Sequence, residues 1–186
     1  MQLILRNIVP KFIAHWNDSE IWNQEVVVEE GEYLHIVAPS GSGKSTLIHF
    51  IYGIRNDYSG SILLHEKDIR NFSQEEKASL RQNRISIVFQ DLRLFPESTA
   101  RENIEIKRQL HPYHPVGKID EMASILGIEN KLGQKAKYCS YGEQQRIAII
   151  RALMQPFEIL LLDEPFSHLD ESNREKAMRL IDEECR

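Results

Sequence analysis

Short apolar runs alternate with charged stretches of helical spacing along most of the chain. Leu3 to Ile8 and Val26 to Val28 read as strands of an antiparallel edge, bounded by the turn segments NDSE and EEGE. Tyr33 to Val37 is an apolar run of strand length, and Ser45 to Tyr52 has the apolar spacing of a helix. Ser61 to Leu64 predicts another short strand, and Ser73 with Glu76 has the spacing that caps a helix running to about Asn83. A strand, Ile85 to Phe89, follows. Thr99 with Glu102 caps a helix through about Leu110, HPYHPVG breaks it, and a further helix is predicted from Lys118 to Leu126. Ser140 with Glu143 opens another helix, with Ile147, Ile150 and Leu153 on one side. Ile159 to Leu162 is fully apolar and reads as a buried parallel strand, after which the chain runs into the charged, helix-like ESNREKAMRLIDEECR.

These elements predict an α/β fold with a mostly parallel sheet, an antiparallel N-terminal β edge and a small helical insertion. One domain is expected over residues 1–186, with a core from 1–90 and 139–186 and the insertion over about 91–138. At 186 residues and 41% hydrophobic, the chain can bury a sizeable sheet. With 28 acidic against 23 basic residues the net charge is −5, which gives no general attraction to nucleic acid. No apolar run approaches a membrane span and no export signal is visible, so direct membrane insertion is not expected. Two cysteines, Cys139 and Cys185, argue against a disulfide framework and for a reducing compartment. His111 and His114 flank Pro112 without carboxylate or cysteine neighbours at ligand spacing, and read as a loop.

The chemistry enters with APSGSGKST at residues 38–46. A strand, a small glycine-rich loop and a helix start make a concavity of inward-facing N–H groups, to which the helix N-terminus adds partial positive charge. Phosphate oxygens fit there, held by Pro39, Ser40, Gly41, Ser42, Gly43 and Thr46, with Lys44 reaching the β- and γ-phosphates and the Ser45 hydroxyl on Mg²⁺. Ala38 stands where this P-loop pattern has its first glycine. Its methyl is tolerated if the backbone there is β-like. At 159–165, ILLLDEP ends a strand in two carboxylates. In P-loop enzymes the first, here Asp163, holds Mg²⁺, and an acidic neighbour such as Glu164 can polarise the attacking water as a general base.

ISIVFQ ending at Gln90, CSYGEQQR at 139–146 and SHLD at 167–170 complete the set in order and spacing. Together these motifs resemble those of the ATP-binding cassette (ABC) family, and the resemblance covers nearly the whole chain. It implies an ATP-binding and ATP-hydrolysing subunit whose catalytic base is Glu164. Gln90 would touch Mg²⁺ and the attacking water. Ser140 and Gly142 would reach the γ-phosphate held by a second subunit, and Asp170 would lie at the dimer centre. It further implies a homodimer, or a heterodimer with a related cassette, closed around two ATP molecules and driving a separate transmembrane permease from the cytoplasmic face of the membrane. The stretch DLRLFPESTARENI is similar to the permease-contacting segment of the lipoprotein-release, macrolide-export and cell-division cassettes. Within the family an N-terminal aromatic stacks on adenine. Counting back from Gly31 reaches His15 or Trp16, with Phe12 close by, and Trp16 is taken as that residue.

Besides Ala38, the chain departs from the family pattern in three ways. Cys139 replaces a leucine, Tyr141 replaces a glycine, and no histidine follows His168, whereas the family uses one about thirty residues beyond the catalytic glutamate. A tyrosine excludes a positive φ at position 141, and its hydroxyl is free to reach phosphate or a partner. His168 itself occupies a variable position of the family and is not expected to be a base. The alternative function is an ATP-binding regulatory or assembly module with little turnover. A P-loop nucleotide kinase would leave CSYGEQQR and SHLD without a role.

Overall fold

A computed structural model describes residues 2–12 and 19–186. The chain divides into two compact units, Met1–Leu80 and Arg81–Arg186.

The first unit is built on a four-stranded antiparallel sheet of order β2-β1-β3-β4, made of β1 (Leu3–Pro10), β2 (Glu25–Val28), β3 (Tyr58–Leu64) and β4 (Lys67–Asp68). β1 is central, with Leu5 opposite both Val26 and Ile62. Its register on β3 shifts between Arg6 and Val9, a bulge at which Asn7 takes a φ of 50°. Opposite that bulge Gly60 has a φ of 82°, and a Cβ there would lie 2.2 Å from the Asn7 carbonyl oxygen. Only glycine lets the two backbones approach so closely. Leu5, Ile8, Ile62 and Leu64 form one side of the core, with Leu47, Phe50 and Ile51 of α1 (Lys44–Ile51) also buried. Phe50 packs at 4.7 Å from the Tyr58 ring.

The expected strand at Tyr33 to Val37 is not formed. Residues 32–39 carry no strand assignment, and Tyr33 and Val37 are 68% and 82% exposed. An apolar run becomes a strand only when a neighbouring strand completes its hydrogen-bond ladder, and among the described residues this run has none.

In the second unit β5 (Ile85–Val88) pairs in parallel with β6 (Ile159–Leu162), Val88 lying opposite Leu162. β5 is wholly buried, whereas β6 is mostly half-buried, so the expectation of a buried strand holds for Leu161 alone. The reason is that β6 has only β5 beside it among the described residues. This pair is a separate two-stranded parallel sheet, smaller than the sequence predicts. Around it stand α3 (Ala100–Leu110), α4 (Gly117–Ile125), α5 (Tyr141–Leu153) and α6 (Glu171–Glu184), with α2 (Gln74–Asn83) leading into β5. α5 is central: all residues from Ile147 to Leu153 are buried in a core shared with Ile104, Met122, Leu126, Ala177 and Leu180. All three predicted capping boxes, Ser73 with Glu76, Thr99 with Glu102 and Ser140 with Glu143, are present. Among the described residues no helix is long and apolar enough to cross a membrane.

Candidate functional site

In the first unit the glycine-rich loop turns through Gly41 and Gly43, at φ of 81° and 98°, before α1 begins. These left-handed positions turn successive N–H groups toward one side, which is why glycine is required there. Ala38 keeps a negative φ, so its methyl introduces no backbone strain. The Lys44 ammonium donates to the carbonyls of Ala38, at 2.6 Å, and Pro39, at 3.1 Å, folding back over its own loop. The Ser42 hydroxyl is buried without a partner, an acceptor and donor that the loop itself does not satisfy.

Trp22, which the motifs did not single out, pins this loop: its indole N–H donates to the Ser42 carbonyl at 3.1 Å. Its ring meets Phe50 edge-on at 6.5 Å. The only sequence signal was an aromatic ahead of β2. Trp16 and His15, the expected adenine contacts, lie outside the described residues. Phe12 is half exposed, with the Arg55 guanidinium 4.6 Å above its ring.

In the second unit the in-register ends of β5 and β6 place Gln90 and the Asp163–Glu164 pair at one edge. The Asp163 N–H donates to the Val88 carbonyl at 3.0 Å, fixing this end of the pair. Asp163 is 4% exposed. Glu164 takes a φ of 49°, in the left-handed region that a residue with a Cβ seldom adopts. The Gln90 amide Nε2 donates to Glu164 Oε2 at 3.3 Å. Gln145, buried to 1% and not anticipated, holds the other side of the turn. Its Nε2 donates to the Glu164 carbonyl at 3.1 Å and to Ser167 Oγ at 3.3 Å, while its Oε1 accepts the His168 N–H at 3.1 Å.

Ser140 is the N-cap of α5, accepting the Glu143 N–H at 3.3 Å. The cap is the one the sequence predicts, and because Ser140 Oγ only accepts in it, the hydroxyl keeps a proton to donate. Burial pushes the Glu143 carboxyl up, but the Ser140 N–H at 2.8 Å and Lys131 at 3.2 Å outweigh it and leave the group below its ordinary value. Burial, then the nearby Glu143, pushes the Cys139 thiol up, so it stays protonated and apolar. Tyr141 is the first residue of α5, and its hydroxyl donates to the Gln90 carbonyl at 3.1 Å. Gly142 packs so tightly that a Cβ would lie 2.9 Å from the His168 carbonyl oxygen. Asp170 caps α6, taking the Asn173 N–H and side-chain amide at 2.8 Å each, and these bonds lower its carboxyl's pKa. His168 places Nδ1 2.9 Å from Ser167 Oγ.

His111 and His114 have separate partners, Asn83 at 2.8 Å and Glu184 at 3.4 Å, as befits a loop. Among the described residues no group of three or more His, Cys, Asp or Glu side chains forms a metal cage. A buried carboxylate such as Asp163 suits Mg²⁺, which takes one or two protein oxygens and completes its shell with phosphate and water.

The profile of the ABC transporter family matches residues 22–167. The chain belongs to the ABC transporter family. It is 32% identical over 185 residues to a macrolide export ATP-binding/permease protein of Bartonella henselae, covering 97% of this chain and 28% of that protein. A second such protein, from Nitrosomonas europaea, is 37% identical over 159 residues, covering 84% and 24%. A molybdate/tungstate import ATP-binding protein of Pyrococcus horikoshii is 41% identical over 155 residues, covering 82% and 43%. The chain thus spans less than half the length of these curated relatives. Among solved structures it superimposes on a dimeric bacterial ABC transporter cassette with a TM-score of 0.83 at 29% identity, covering 98% of this chain and 83% of that one. A post-hydrolysis form of that cassette, bound to ADP and phosphate, gives a TM-score of 0.82 at 29% identity, covering 96% and 81%.

Proposed function

We propose that this chain is the ATP-binding and ATP-hydrolysing subunit of an ABC transporter. In this reading it dimerises with itself or a related cassette around two ATP molecules and drives a separate transmembrane permease from the membrane's cytoplasmic face. The observation that carries it is the Gln90–Glu164 contact beside buried Asp163, at the common end of two parallel strands. A strained glutamate whose carboxylate is oriented by an amide is arranged to accept a proton from water.

Pro39 to Thr46 supply the phosphate cradle, and Lys44 exchanges its two loop carbonyls for the β- and γ-phosphates. Gln90 and Asp163 would hold Mg²⁺, which when bound neutralises charge developing on the phosphates, and Ser45 is the metal ligand that the resemblance assigns to the cradle. Glu164 orients the attacking water and takes its proton. Ser140 and Gly142, at the start of capped α5, present N–H groups and a hydroxyl to the partner's γ-phosphate. Asp170 stands at the dimer centre, Trp16 stacks on adenine, and residues 91–138 form the helical insertion, whose stretch 91–104 meets the permease.

The test is sedimentation of the Glu164→Gln variant with and without ATP. Blocked hydrolysis should trap a dimer that wild type forms only transiently. A variant that remains monomeric at saturating ATP contradicts the two-ATP dimer.

A further inference from the structure

We propose that Tyr141 is a positioning residue for hydrolysis: it ties the Gln90 turn to the start of α5 and so sets the Gln90 amide against the Glu164 carboxylate. This rests on the reading of Glu164 as the base.

The side chain of Tyr141 joins two segments that meet Glu164 separately. Its hydroxyl donates to the Gln90 carbonyl at 3.1 Å, and Gln90 in turn donates from its amide to Glu164 Oε2 at 3.3 Å. Its ring lies 4.2 Å from the His168 ring, inclined at 55°. His168 is held by Gln145 through its backbone N–H, and the same Gln145 donates to the Glu164 carbonyl. A closed circuit results, running Tyr141, Gln90, Glu164, Gln145, His168 and back to the tyrosine ring. Glu164 is gripped by its carboxylate on one side and its backbone on the other.

Neighbouring packing makes the circuit stiff. Gly142 abuts the His168 carbonyl with no room for a Cβ, so the start of α5 and the 166–168 turn have one spacing. The Ser140–Glu143 capping box fixes the direction in which α5 begins. On the other side, the Arg151 guanidinium donates to the carbonyls of Leu92, at 2.5 Å, and Arg93, at 2.7 Å, which holds the two left-handed residues following the Gln90 turn. Asp91 is left between these anchors, and Gln90 itself is tied through its carbonyl by Tyr141. The tyrosine therefore decides how far the Gln90 amide can swing from Glu164. Placed at the start of α5, within CSYGEQQR, it also makes any displacement of that helix a displacement of the Gln90 turn.

Tyr141→Phe is the discriminating variant, because it keeps the ring on His168 and removes only the hydroxyl. The expected result is a fall of about fivefold in kcat, equivalent to ~1 kcal/mol, with KM for ATP unchanged. In a Gln90→Ala background the same substitution should change kcat by less than about twofold, since the tyrosine acts through Gln90. Independently of turnover, hydrogen exchange at the Leu92 and Arg93 amides should quicken in Tyr141→Phe while that of the α5 core stays unchanged. Equal losses in the wild-type and Gln90→Ala backgrounds, or unaltered exchange at those amides, would overturn the proposal. A Glu164→Gln variant that hydrolyses ATP like wild type would instead sink the reading of the base, and the exchange measurement would still decide whether Tyr141 holds the turn.

Discussion

Lys107 is a half-buried ammonium on α3 that forms no ion pair with the described residues, and replacing it should stabilise the protein. Burial is the largest influence on it, followed by the positive charges of Arg151 and Arg81, and together they lower its pKa from 10.5 to about 8. On its own helix the nearby Glu105 is already paired with Arg108 at 2.7 Å. The native pKa lies below the unfolded one, so the folded state binds the proton more weakly and its charged form opposes folding. That cost is complete below about pH 8, fades between about 8 and 10.5, and is gone above, so stability from this group rises with pH across that window. A shift of this size corresponds to ~3 kcal/mol at pH 7 as an upper bound. Lys107→Met keeps most of the stem's volume and removes the charge, and should raise unfolding free energy by about 1–3 kcal/mol at pH 7. Urea unfolding at pH 7 and again near pH 10 reads the effect, with the gap between variant and wild type closing at the higher pH. A variant less stable than wild type at pH 7, or a gap that does not change with pH, would refute the reasoning.

Trp22→Phe removes the bond to the Ser42 carbonyl while keeping an aromatic against Phe50; isothermal titration should show ATP binding weakened about fivefold, with little change in Tm. Gly60→Ala forces a Cβ onto the Asn7 carbonyl at the β1 bulge in a left-handed backbone, and should cost about 3 kcal/mol or more, read as a lowered urea midpoint or lost soluble yield.

Features decided within a few residues could be read from the chain. The capping boxes at Thr99 and Ser140 need only a hydroxyl and a carboxylate three positions apart, and both form as expected. β1 and β2 follow from apolar runs ended by turns, and the left-handed turns of the loop before α1 follow from its two glycines, Gly41 and Gly43. What escaped was set by partners distant in sequence. β3 begins at Tyr58 rather than Ser61 because it pairs with Val9 and Pro10 beyond a bulge that no local pattern encodes. Tyr33 to Val37 has a strand's composition without a ladder to join. Gln145 and Trp22 hold the Glu164 turn and the glycine-rich loop through contacts 19 to 23 and 20 residues away, respectively. The Tyr141 hydroxyl, whose expected destination was phosphate or a partner, finds a carbonyl 51 residues back.

Whether Glu164 drives hydrolysis in a site completed by a second subunit is read from the rate of Mg·ATP hydrolysis against protein concentration, for wild type and Glu164→Gln. The wild-type rate should climb more steeply than protein concentration, and the variant should be at least about 100-fold slower. Equal rates in the two proteins, or a wild-type rate strictly proportional to concentration over the range where monomer gives way to dimer, would contradict it.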